Sequence, residues 1–132
     1  METFDTNVIV RVLVEDDPRQ SAKALALWRG ALVTDGIFLP KLALAEAIWV
    51  LKVSYRFDRQ AIGGVVKALL STEGVNMEDE VQVRRALEAY ARDDADFSDY
   101  LILEATRVAN ALPVQTFDRR FARDQDVTLI LS

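Results

Sequence analysis

Apolar positions along this chain come in short runs, and polar turns separate them. Residues 2–4 read as a short strand. Residues 6–14 form an apolar stretch closed by Glu15-Asp16-Asp17-Pro18, which predicts a helix ended by those turn residues. Pro18 suits the first position of a second helix, running to about residue 32, with Asp17 as its N-cap. Residues 37–40 predict a second strand, and residues 42–55 a strongly apolar helix. Asp58 caps a helix that runs through residue 70. Residues 74–77 predict a third strand, and residues 78–92 an amphipathic helix with acids in its first turn, where the helix dipole favours them. Residues 98–110 predict a helix stopped by Asn110 and Pro113. A fourth strand over 113–116, one helical turn over 118–122 and a last strand over 127–131 complete the chain. There is no repeat, low-complexity stretch or linker. The alternation predicts a single α/β domain over residues 1–132 with a mainly parallel sheet.

Sites in such sheets form beyond the carboxyl ends of the strands. Asp5 ends the first strand and Asp118 follows the fourth, so both are expected on one edge of the sheet. Asp96 and Asp99 open the helix that leads into the fourth strand.

Composition narrows the chemistry. Hydrophobic residues make up 51% of the chain, too many for disorder. No apolar run is long enough to span a bilayer, and Met1-Glu2 opens no basic, apolar leader, so a cytoplasmic protein without a membrane role is expected. Zero Cys removes disulfides and thiolate zinc sites. Zero His removes Ser-His-Asp triads, His-based zinc catalysis and the histidine route to RNA cleavage. Carboxylates, Lys, Tyr or a bound metal remain. Hard cations such as Mg²⁺ and Mn²⁺ prefer oxygen ligands, which points to a metal-dependent phosphodiesterase acting on RNA. The net charge of −5 runs against phosphate binding. Metal would mask several acids, and the bases are mostly Arg, suited to bidentate phosphate contact. Arg84, Arg85 and Arg92 share one predicted helix, and Arg119, Arg120 and Arg123 follow Asp118. For any single Arg, a solvated face is the plainer reading.

The acids have a rival explanation. Asp5, Asp96, Asp99 and Asp118 all stand near predicted helix starts, where Asp is a good cap. Glu46 differs, because it lies mid-helix between Ala45 and Ala47 with Leu, Ile and Trp nearby. A carboxylate buried there needs a partner: Lys41, Lys52, a distant Arg, or a metal. Helical spacing does not separate these. Gathered together, four carboxylates would repel strongly without a cation, so their coincidence predicts a metal site. Asn7 and Thr116 flank the acids and either position water or metal or bond the local backbone. Trp28 and Trp49 read as core or dimer contacts. Gly63-Gly64 lacks the Lys-Ser/Thr of a phosphate loop.

Phe4-Asp5-Thr6-Asn7-Val8-Ile9-Val10-Arg11, Ala45-Glu46, Asp99-Tyr100-Leu101-Ile102 and Thr116-Phe117-Asp118 in this order resemble the PIN-domain ribonucleases. The likeness is greatest to the VapC-type toxins of bacterial and archaeal toxin–antitoxin modules, and it covers almost the whole chain. It implies a three-layer α/β/α sandwich, Mg²⁺- or Mn²⁺-dependent RNA cleavage, a homodimer and an antitoxin partner. The family carboxylates fall on Asp5, Glu46, Asp99 and Asp118. Asp99 fits better than Asp96, which becomes a helper or the cap of its helix. Asn7 and Thr116 match polar positions that line such sites. Phe117 departs from the polar or basic residue common beside the last acid. Two other readings stand beside this one. The first is a catalytically silent binding module whose acids only cap helices and form salt bridges. The second is a phosphatase with Asp5 as nucleophile, disfavoured because Asn7 takes the place of its second Asp.

Overall fold

Aspartates set helix starts throughout the computed structural model, which describes residues 1–131. Asp5, Asp17 and Asp58 each accept a hydrogen bond from a backbone N–H three residues on, and Asp96 caps a fourth helix through a capping box. Contacts divide the chain into two units, residues 1–80 and 81–132.

In the first unit, β1 (Glu2–Thr3), β2 (Ile37–Leu39) and β3 (Val75–Met77) form a parallel sheet in the order β1-β2-β3. Glu2 pairs with Ile37, and Ile37 with Val75. Helix α1 (Thr6–Leu13) packs on α2 (Pro18–Leu32) and on α3 (Lys41–Ser54), while α4 (Arg59–Ser71) packs on β3. The core joins Ile9 of α1, Leu44 and Leu51 of α3, Ile62 and Val66 of α4, and Ile37 and Leu39 of β2, all buried. Each such side chain contributes roughly 1.5–3 kcal/mol through removal from water. Phe4 and the buried Trp28 meet with ring centroids 5.6 Å apart. Trp28 is thus a core residue, one of its two expected roles.

Gly74 makes the turn into β3. Its φ is +94°, and its carbonyl accepts from Ile37 N at 2.7 Å. A Cβ there would stand 2.8 Å from the Leu32 carbonyl oxygen. Gly74→Ala is therefore expected to destabilise the protein by about 1–2 kcal/mol, from the positive φ and the backbone clash together. Chemical denaturation of the two proteins checks this, and equal midpoints would refute it.

The helix expected to start at residue 78 starts at Glu80 instead. The cause lies in α3, whose N-cap is Pro40 and offers no capping side chain. Glu78 Oε1 accepts the Lys41 N–H at 2.9 Å, and Asp79 pairs with Lys41 Nζ at 2.7 Å. Glu78 N also donates to Leu39 O at 2.9 Å, and Asp79 takes a left-handed φ of 48°. Both acids are drawn out of their own helix to serve another.

In the second unit, α5 (Glu80–Arg92, its first residue in the unit before) and α6 (Phe97–Val108) precede β4 (Val114–Thr116) and β5 (Val127–Leu129). The two strands are parallel, with Val114 opposite Val127. Tyr90 meets Phe97 edge-on at 5.7 Å, and Tyr100 meets Phe121 edge-on at 5.9 Å. The Tyr100 hydroxyl accepts from Ala95 N at 3.1 Å, so the buried phenol is satisfied. Helix α6 ends two residues before the expected residue 110. Asn110 instead takes the left-handed position after the cap, at φ 55°, and Ala111 N donates back to Thr106 O at 3.0 Å. The turn expected over 118–122 is a 3₁₀ turn, Phe121–Arg123. Parallel strands alternating with helices make this the α/β fold that the sequence predicts. Among the described residues, no helix is long and apolar enough to cross a membrane.

Candidate active site

Asp5 stands just past the carboxyl end of β1 and is exposed. Its Oδ1 accepts the Val8 N–H at 3.2 Å. The Asp5 side chain has no other polar partner among the described residues, while its backbone carbonyl accepts from Ile9 N at 3.0 Å. Capping therefore occupies one oxygen and leaves Oδ2 for a ligand, since an ionised carboxylate has about four lone-pair sites. Asn7 follows, exposed, on the first turn of α1.

Asp118 has the same design in the second unit. It lies two residues past β4, half-buried. Its Oδ1 accepts from Arg120 N at 2.8 Å and from Phe121 N at 3.3 Å, and its own N–H donates to Thr116 Oγ1 at 3.0 Å. Thr116 thus orients the turn that carries Asp118. Phe117, between them, is 70% exposed, so the departure at that position leaves the turn itself intact.

Asp96 and Asp99 form a reciprocal capping box at the start of α6, in which Asp99 Oδ2 accepts from Asp96 N at 3.2 Å. Asp96 is the N-cap, one of the two roles foreseen for it. Asp99 is half-buried and Asp96 exposed.

Glu46 corrects an expectation. The apolar sequence around it suggested a buried carboxylate held by a lysine or a metal, yet Glu46 is exposed. Lys41 pairs with Asp79 instead. The reason is that α3 is apolar on two sides. Ala43, Leu44, Ala47, Ile48 and Leu51 are buried, while Leu42, Trp49 and Val53, at 71%, 63% and 53% exposed, flank Glu46 on the outer side. Solvent hydrates Glu46, so its position demands no partner. Among the described residues of either unit, no three Asp or Glu side chains stand close enough to hold a metal ion.

Two polar networks join residues that the sequence does not mark as partners. Tyr55 donates to Asp16 Oδ2 at 2.6 Å, and Arg11 bonds Asp16 Oδ1 at 2.6 Å and Gln20 Oε1 at 2.9 Å. The Tyr55 hydrogen bond, aided by Arg11, holds the Asp16 carboxyl below its ordinary value, while the bond to Asp16 raises both Tyr55 and Arg11. In the second unit, Arg107 bonds Glu104 Oε2 at 2.9 Å and also bonds Asp126. The i,i+3 spacing of Glu104 and Arg107 on a predicted helix is the exception.

A family model described as the PIN domain matches residues 3–125. The chain belongs to the PIN-domain family. That membership assigns it the PIN-like α/β/α architecture, and the match takes in all seven residues singled out as site candidates. A VapC ribonuclease of Aquifex aeolicus (strain VF5) is similar at 24% identity over 123 residues, 93% of this chain and 91% of that protein. In this PIN domain, oxygen is the only side-chain donor that the acidic positions offer, and Asp5 and Asp118 each keep one carboxylate oxygen clear of their caps. Such donors fit a hard divalent cation.

Proposed function

We propose that this PIN domain is a Mg²⁺- or Mn²⁺-dependent endoribonuclease and the toxin of a toxin–antitoxin pair, acting as a single domain and a homodimer in the cytoplasm. The observation that carries this reading is the PIN match over residues 3–125, joined by the likeness to a VapC ribonuclease along 93% of the chain. Asp5, Glu46, Asp99 and Asp118 are the proposed metal-holding carboxylates, with Asn7, Asp96 and Thr116 in support. A bound divalent cation supplies Lewis acidity toward the phosphate and makes water a nucleophile near neutral pH. The chain's own residues do the positioning. Val8 N fixes the Asp5 carboxylate, and the N–H groups of Arg120 and Phe121 fix that of Asp118. Thr116 secures the Asp118 turn, and the capping box holds Asp96 and Asp99 together. With no histidine to activate a ribose 2′-hydroxyl, water is the expected nucleophile, and products carry 5′-phosphate and 3′-hydroxyl ends.

Incubating a mixed RNA pool with the protein and Mn²⁺ or Mg²⁺ tests the reading. Cutting that stops in EDTA and leaves 5′-phosphates is expected; cutting that persists in EDTA, or leaves cyclic phosphates, overturns it. The capping roles of Asp5, Asp96, Asp99 and Asp118 favour one rival, a silent binding module. Divalent ions that bind the native state raise the melting temperature. A rise with Mn²⁺ is expected of the nuclease, and no shift of the silent module.

A further inference from the structure

Helices α1 and α2 enclose a groove of about 530 Å³. Its polar lining is Asn7 and Arg11 of α1 with Gln20 and Lys23 of α2, and Val8 and Leu27 add apolar surface. Two cations and no acid face this groove, although acids outnumber bases 21 to 16 in the chain. A second cavity of about 410 Å³ on α2 makes the contrast, because Glu15 balances Arg29 there. Each polar side chain of the α1–α2 groove carries hydrogen-bond donors. The surface therefore complements a chain that is anionic and rich in acceptors.

The groove also lies in line with Asp5. Arg11 bonds Gln20 across the turn between the helices. Asn7, one turn before Arg11, therefore faces the part of α2 beyond Gln20, where Lys23 and Leu27 lie. Asn7 is two residues from Asp5, so this end of the groove opens beside the proposed catalytic carboxylate. The two cations differ in what they can offer. Arg11 is ion-paired with Asp16 at 2.6 Å, bonds Gln20 and is held as part of the wall. Lys23 is exposed and makes no ion pair among the described residues.

We propose that the α1–α2 groove is the track for the RNA strand flanking the scissile phosphate, with Lys23 neutralising a backbone phosphate and Asn7 and Gln20 donating to phosphate or sugar oxygens. This rests on the nuclease reading and adds to it the surface that a negatively charged enzyme uses to hold RNA. The contacts are to the backbone, so they set affinity and register and leave base choice to other surfaces.

The test is binding of fluorescein-labelled single-stranded RNA of mixed sequence to the full chain carrying Asp5→Asn, followed by anisotropy across a salt series. Lys23→Glu in that background is expected to weaken binding about tenfold at low salt, and Lys23→Ala to flatten the slope of log K against log salt by about 0.7, one phosphate contact. Lys23→Arg retains binding. Lys67→Glu makes the same charge change at an exposed position of α4, outside the groove, and shifts affinity by no more than about twofold. Equal effects of Lys23→Glu and Lys67→Glu would mean that net charge alone acts. No effect of Lys23→Glu would leave the groove to a polypeptide. Either result overturns the proposal while the parent still binds RNA. A parent that binds no RNA, with a wild type that cuts none in Mn²⁺, would instead remove the nuclease reading and the track with it.

Discussion

Asp5→Asn is expected to lower metal-dependent RNA cleavage by at least about a hundredfold while leaving the fold in place, the scale seen when one group that stabilises a transition state is removed. The substitution separates the two roles that Asp5 can play. As a cap, Asp5 needs only an oxygen for the Val8 N–H at 3.2 Å, and an Asn side chain supplies one equally well. As a metal ligand, it needs a negative charge and a second oxygen, and Asn provides neither. The loss of charge at the helix start costs about 0.3–1 kcal/mol, too little to unfold a domain. Asp17→Asn repeats the same change on α2, where Asp17 caps through Gln20 N at 3.2 Å, and it should leave cleavage unchanged. The measurement is single-turnover cleavage of a labelled RNA in Mn²⁺, beside melting curves for both variants. Cleavage by Asp5→Asn within about twofold of wild type would reduce Asp5 to a cap and remove it from the site.

Local structure is legible in this sequence because local chemistry decides it. Asp17-Pro18 marks a helix start by capping and fixed φ, and α2 begins at Pro18 as expected. An element boundary is illegible where a distant residue intervenes. Nothing near Pro40 shows that Glu78 will cap α3, so the boundary at residue 78 was unreadable. The exposure of Glu46 is illegible for another reason. A helix apolar on two sides gives no periodic signal of which side is wet, and only packing against α1 and α4 decides it.

The candidate site was legible in a different sense. Asp5, Asp96, Asp99 and Asp118 could be named as acids at helix starts, and each proves to cap. What could not be read is that Asp5 and Asp118 cap through Oδ1 alone. Capping and metal binding had looked like competing explanations. With one oxygen committed to backbone N–H groups, the cap becomes a means of fixing the other, and a carboxylate can serve both. The groove beside Asn7 was equally hidden, since Arg11, Gln20 and Lys23 come together only when α1 folds back on α2.

Arg107→Met is expected to destabilise the protein by about 2–3 kcal/mol, less than the 3–5 kcal/mol typical of breaking a fully buried pair because Arg107 is itself 35% exposed. Its partners make the loss large. Glu104 is only 7% exposed, a rare state for a carboxylate, and Arg107 Nε bonds it at 2.9 Å. The same guanidinium bonds Asp126 and stands 3.9 Å from Asp124. Burial pushes the Arg107 pKa down, but the hydrogen bonds to Asp126 and Glu104 outweigh it and leave Arg107 above its ordinary value. One cation thus fastens α6 to the chain leading into β5. Met preserves much of the apolar stem and removes only the charge and its donors. Glu104 is then buried without a counterion, beside two further acids. Adding Glu104→Gln should restore about 1 kcal/mol or more, since it deletes the charge that Arg107 had offset. Denaturant midpoints for the two single variants and the double close the cycle. A double variant no more stable than Arg107→Met would place the loss in packing, and Glu104 would not be the charge that Arg107 is there to hold.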